Sequence, residues 1–226
     1  MDLREEKKNK IIYGVISIIV IILIIITIIF SSNSITEAYI DDKYISDGWS
    51  EDINDRDYCE RLFGLEKQAS FTYRINDNYP AYVSVTTIKT LFMMNEKELF
   101  DKTIETIMTE TKNQNILLNA SSEITGSRVL NNTHKTNYVI YDGTDNSKNI
   151  SEEIKIIGES WNCARSGTSI ICIGYAQITD NAGNNTSISL NNWARILKDK
   201  DGTFINVYGS NIFQGENGLI FNVICH

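Results

Sequence analysis

Six side chains of this 226-residue chain can act as thiols or as ligands to a soft metal: Cys59, Cys163, Cys172, Cys225, His134 and His226. Two of the cysteines stand nine positions apart in SWNCARSGTSIICIG, residues 160 to 174, with Arg165-Ser166-Gly167-Thr168 between them. A redox centre asks for C-x-x-C, in which one thiol activates the other, and the chain has none. A closed zinc site asks for four nitrogen or sulfur donors. The Cys163/Cys172 pair supplies two, and a two-residue Cys225-His226 tail makes a poor cage by itself, so neither a metal nor another cofactor is expected. The spacing suits a staple. With Gly167 and Thr168 as the central pair of a tight hairpin turn, glycine taking the position that needs φ > 0, Cys163 faces Cys172 in a non-hydrogen-bonded pair. Their Cα atoms are then about 4.5 Å apart, within reach of a disulfide. Cys59 and Cys225 form the second expected bridge, joining the end of the chain to the beginning of its folded part. Four cysteines allow three pairings, so this one rests on position, and buried free thiols are the competing reading.

Nothing else in the chain has the spacing of a catalytic centre. There is no G-x-S-x-G, H-E-x-x-H or P-loop pattern, each of which exists because a nucleophile, a metal or a phosphate needs those residues on one turn or one helix face. His134 sits in an N-T-H-K turn and His226 is the last residue. Lys89, Arg128 and Lys135 read as members of cross-strand charge ladders. The aromatics Tyr73, Tyr82, Tyr138, Tyr141, Trp161, Tyr175 and Trp193 supply core, and some of them are candidates to line a groove for a small ligand. The expected function is therefore a non-catalytic interaction or structural module. The alternatives are a small-ligand-binding domain and an accessory subunit of a surface hydrolase.

The elements that position these residues begin with a membrane segment. Residues 11 to 30, IIYGVISIIVIILIIITIIF, hold no charge and no proline, and twenty residues of helix are about 30 Å long, the thickness of a hydrocarbon core. Arg4, Lys7, Lys8 and Lys10 precede the span, and only Lys43 follows it before Arg56. Basic residues stay cytoplasmic, which puts the N-terminus inside and the rest outside, anchored in the cell membrane by a single pass. The formal net charge is −8 and its acidic excess falls after the span, which argues against nucleic acid as a partner. The expected partners are the membrane, through residues 11 to 30, and a surface protein or small ligand. N-x-S/T acceptors at Asn119, Asn131, Asn149, Asn184 and Asn185 are compatible with an outside location. The expected division is a cytoplasmic tail over 1–10, a transmembrane helix over 11–30, an acidic stalk over 31–57 and a domain over 58–226.

Within the domain, FTYRI and AYVSVTTI alternate apolar and polar residues across an NDNYP turn, the pattern of a strand pair. NEKELFDKTIETIMTETK follows, with Asn95 and Glu98 spaced as a capping box and Leu99, Phe100, Ile104, Ile107 and Met108 on one helical face. Four strands are expected over 122–130, 135–143, 152–164 and 168–178, then a helix in SLNNWARILKDKD, and two closing strands in TFINVY and GLIFNVIC. The fold class is α+β: an antiparallel sheet with two covering helices, preceded by the transmembrane helix. ITDNAGNN is similar to a turn of bacterial immunoglobulin-like domains, but such sandwiches leave little room for an eighteen-residue amphipathic helix near their start.

The order of elements from FTYRINDNYPAYVSVTTI through NEKELFDKTIETI, the strands between Ile124 and Ile178, NNWARIL and GLIFNVIC resembles the Mog1/PsbP-like α/β sandwich family over roughly residues 68 to 225. The chain is also similar to archaeal single-pass surface proteins that carry such a domain. The resemblance implies an accessory or binding domain. It carries over no catalytic residue, since the family shares no residue set that maps onto these positions.

Overall fold

The computed structural model describes residues 3–32, 34–75, 79–146, 151–179 and 187–226. The chain starts with a single helix, α1 (Leu3–Ser32), whose 30 residues span about 45 Å. Side chains on it are described at 12, 13, 15–26 and 28, and the large apolar ones among them are exposed. Among the described residues no helix is long and apolar enough to cross a membrane.

After a two-residue strand β1 (Tyr39–Ile40), strands β2 (Trp49–Glu51), β3 (Asp57–Arg61), β4 (Glu66–Ile75) and β5 (Ala81–Thr90) lead to helix α2 (Glu96–Asn113). Strands β6 (Ile116–Val129), β7 (Lys135–Asp145), β8 (Glu152–Cys163) and β9 (Thr168–Gln177) follow, then α3 (Ser187–Leu197), one-turn α4 (Ile205–Tyr208) and β10 (Val223–Ile224). Eight strands form one antiparallel sheet in the order β2-β4-β5-β9-β8-β7-β6, with β3 also on β4. The α+β class and the antiparallel sheet expected from the alternation are both present. Every residue of central β9 is buried, as in a sheet covered on both faces.

One face packs α2. Ile88, Val139, Tyr141, Ile154, Ile156, Ile171, Ile173 and Tyr175 meet Leu99 and Ile107 there. Asn95 caps α2 by accepting from Glu98 N at 2.9 Å, and its amide returns a bond to the Glu98 carboxylate. The buried stripe includes Thr103 and Thr111 while Met108 is exposed. Both threonine hydroxyls donate to the carbonyl four residues back, so they enter the core satisfied. At Gly158 the helix lies so close that a Cβ would stand 2.6 Å from Ile107 Cδ1. The opposite face holds the larger core, built from Phe71, Tyr73, Val83, Val85, Ile140 and Trp161 against Trp193 and Ile196 of α3 and the chain's end from Phe204 to Cys225.

Two expectations are corrected at the ends of the domain. TFINVY and GLIFNVIC are not the two closing strands expected: the first forms α4, the second a 3-10 turn at Ile220–Asn222 and then the two-residue β10, whose partner is β1. The acidic stretch 31–57 is also no free spacer along its length. Ala38, Ile40 and Trp49 are buried, Ile40 N donates to Tyr73 Oη at 3.0 Å, and the Arg195 guanidinium donates to Tyr44 O at 2.7 Å and to Ser46 Oγ at 2.9 Å. Turns expected over 76–78, 147–149 and 180–186, with the acceptors Asn149, Asn184 and Asn185, lie outside the described residues.

Candidate functional site

All four cysteines are free thiols, and neither expected bridge is made. In the β8–β9 hairpin Cys163 faces Thr168 and Cys172 faces Glu159. The turn is four residues long, Ala164 to Gly167, closed by Gly167 N donating to Cys163 O at 2.9 Å. Gly167 takes φ 66 at the last position of this turn, where the expectation put it first in a turn of two. The register therefore slides, and four residues of strand, about 13 Å, separate the position opposite Cys163 from Cys172. Cys59 lies on β3 opposite Gln68. Following the cross-strand partners Gln68, Ile88, Ser169 and Asn162 leads from Cys59 to the neighbour of Cys163. Four strand spacings, about 19 Å, stand between, so Cys59 is far from Cys225 as well.

What the fold does bring together is His134, Cys163, Cys225 and His226. One ligand atom from each lies within 4.8 Å of those of the others. Their convergence starts in the sheet. Asn137 faces Ser160 across β7 and β8, and carrying that register three residues further sets His134 opposite Cys163. The turn before His134, with Thr133 at φ 67, also docks the end of the chain. Asn131 N donates to Phe221 O at 3.0 Å, and Asn132 Nδ2 donates to Val223 O at 2.9 Å. Asn132 Oδ1 in turn accepts from His134 N at 3.0 Å. The burial of Leu219 to Val223 then delivers Cys225 and His226 to the edge where the two hairpin turns meet.

Within the cluster both sulfurs are fully buried, at 0% exposure, and His226 is exposed. His226 Nδ1 lies 3.5 Å from Cys163 Sγ and 3.6 Å from Cys225 Sγ, and Cys163 Sγ is 3.5 Å from Cys225 O. The imidazoles of His134 and His226 meet edge to face with centroids 5.7 Å apart. His134 Nε2 is buried with no hydrogen-bond partner. Burial pushes the Cys163 thiol up, but Ser166, Cys225 and the backbone N–H groups of Ser166 and Arg165 more than offset it and hold it below its ordinary value. Burial and the hydrogen bond with Cys163 push Cys225 up to about 12. Burial, with a smaller contribution from His226, lowers His134. Two thiols and two imidazoles at such separations offer two chemistries: coordination of a soft cation, or oxidation of the sulfur pair.

Two other polar groupings were candidates. Arg128 is not part of a surface ladder: it reaches Glu159 at 2.6 Å and Asp199 at 3.5 Å, with side-chain exposures of 1%, 0% and 2% respectively. Leu197 O, the Thr136 hydroxyl and the Phe204 ring complete its surroundings, so the network is closed and structural. The aromatics singled out in the sequence do not share a groove. Tyr73, Tyr138, Trp161 and Trp193 are buried on one face, Tyr141 and Tyr175 on the other. Tyr82, stacked on Tyr175 with centroids 5.1 Å apart, borders an open cleft of about 500 Å3 with Arg74, Glu110 and Gln114.

No protein-family model, no curated protein and no solved structure matches this chain, so the Cys–His cluster stands on its own geometry.

Proposed function

We propose that this chain is a single-pass membrane protein that presents a non-catalytic interaction or structural domain outside the cytoplasm. The observation that carries this reading is α1, one unbroken helix over Leu3–Ser32 whose described large apolar side chains are exposed. The positions between them, Gly14 and Thr27, are uncharged in the sequence, so the run from 11 to 30 places no charge in the hydrocarbon. The basic residues before it orient the chain. A non-catalytic role is in keeping with the closure of the buried Arg128–Glu159–Asp199 network, whose charges are spent on one another and on Leu197 O and Thr136. The order of strand pair, helix, four strands and helix supports an accessory domain of the Mog1/PsbP-like kind. A second reading, binding of a small polar ligand, has the Tyr82 cleft in its favour, where Arg74 Nε is buried without a hydrogen-bond partner.

Fractionation of cells expressing the full chain tests the anchor. The protein should stay with membranes through an alkaline carbonate wash, and protease added from outside should remove the domain but spare residues 1–10. Release by carbonate, or a domain protected in intact cells, refutes the reading.

A further inference from the structure

We infer that His134, Cys163, Cys225 and His226 form a closed, four-coordinate site for one zinc ion, seated at the end of the sheet and completed by the last two residues of the chain. The inference does not depend on whether α1 spans a membrane.

The argument is geometric. Tetrahedral zinc with bonds of about 2.3 Å to sulfur and about 2.0–2.1 Å to nitrogen requires S···N edges of about 3.6 Å and an S···S edge of about 3.8 Å. The two S···N separations from His226 Nδ1 are 3.5 and 3.6 Å, and all four donors fit within 4.8 Å. Two edges of a coordination tetrahedron thus stand at their lengths before any ion is considered, the remaining donor separations are within 4.8 Å, and His134 supplies the fourth vertex. Its Nε2 is buried and has no hydrogen-bond partner, a position that costs free energy unless something accepts its lone pair or its proton.

A Cys163–Cys225 disulfide would use the same sulfurs, but it explains less. It would give neither imidazole a role, leaving His134 Nε2 as orphaned as before. Softness of the donors selects the ion: two thiolates and two imidazoles suit zinc or copper(I) and repel calcium and magnesium, which take oxygen. Four protein donors converging within 4.8 Å fit zinc in a structural role. Asn132 Nδ2, 3.9 Å from Cys225 Sγ, is placed to act as an outer-shell donor that orients the sulfur. Loading balances as one Zn2+ taken up and two thiol protons released, the imidazoles binding in their neutral form.

The test uses the full chain, purified with a reductant, stripped by a chelator and then titrated with Zn2+ or Co2+. Native mass spectrometry should show one zinc per chain with the loss of two protons. Co2+ should give the strong visible bands of a tetrahedral ion together with sulfur-to-cobalt charge transfer in the near ultraviolet. His226→Ala, at an exposed terminal residue whose loss leaves the core intact, should weaken zinc binding by more than tenfold, and His134→Ala should do the same. Cys172→Ser, which removes a thiol outside the cluster, should leave it unchanged in any sample that remains folded by circular dichroism. No metal uptake, cobalt bound without charge transfer, equal affinity in the His226→Ala chain, or a Cys163–Cys225 disulfide in the protein as isolated would each overturn the inference.

Discussion

Glu159 shows how much a single side chain carries in this domain. Its carboxylate accepts from Arg128 and from the Thr136 hydroxyl in full burial. Glu159→Gln keeps the shape but leaves Asp199, at 3.5 Å, as the carboxylate facing the Arg128 guanidinium. Breaking one side of a buried pair in this way costs about 3–5 kcal/mol, which urea unfolding of the reduced protein should report as a lower midpoint with an unchanged slope. Glu110 is a milder case with the opposite sign. Burial raises its carboxyl above the ordinary value, so its neutral form suits the fold. That contribution is complete below the ordinary carboxylate range and is lost as pH rises through the raised value. Glu110→Gln should therefore raise Tm at neutral pH and make no difference in acid, as thermal scans at the two pH values will show. The residue types of the site were legible in the sequence, since only six side chains qualify. Their partners were not, because His134 and His226 are brought to Cys163 by cross-strand register and by docking of the tail, and neither leaves a mark in local spacing.

Among the elements, α2 was the most legible: the cap at Asn95 and the stripe at Leu99 and Ile107 are local and repeat at helical spacing. Thr103 and Thr111 escaped the reading because a hydroxyl that bonds the preceding turn behaves as core although its type is polar. Replacing Asn95 by Ala should cost about 0.5–2 kcal/mol, measurable by chemical denaturation. Gly158→Ala should cost more, about 1–3 kcal/mol, because its methyl group would stand 2.6 Å from Ile107 Cδ1 and 2.7 Å from Thr103 Cγ2 of α2; the same measurement compares the two. The β8–β9 hairpin was misread for a definite reason. A glycine at φ > 0 serves equally as the first residue of a two-residue turn or the last of a four-residue one, and the two choices put different partners opposite Cys163. TFINVY and GLIFNVIC failed similarly, since a short apolar run buries as well in a helical turn as in a strand.

At the scale of the whole molecule, the two ends of the domain meet. The segment leaving α1 enters the domain at Ser34, whose carbonyl accepts from Lys89 Nζ at 2.9 Å, and then pairs as β1 with β10, Tyr39 facing Ile224 and Ile40 facing Val223. The expected Cys59–Cys225 bridge would have joined tail to entry covalently; the two-residue ladder does it with backbone hydrogen bonds, and the Cys–His cluster begins at the next residue. Lys89 is near the end of β5, two strands from Cys163 across β9, so the cluster lies at the end of the sheet where the chain arrives from α1. Composition could reveal the acidic surface and the apolar helix, but it could not show that Ala38, Ile40 and Trp49 belong to the core, since apolar residues scattered among carboxylates have no period. X-ray absorption at the zinc edge on the full chain, loaded with one equivalent and washed, tests the central claim most directly. The geometry predicts a shell of two sulfurs at about 2.3 Å and two nitrogens at about 2.0–2.1 Å; a shell of light atoms alone, or no retained zinc, would contradict it.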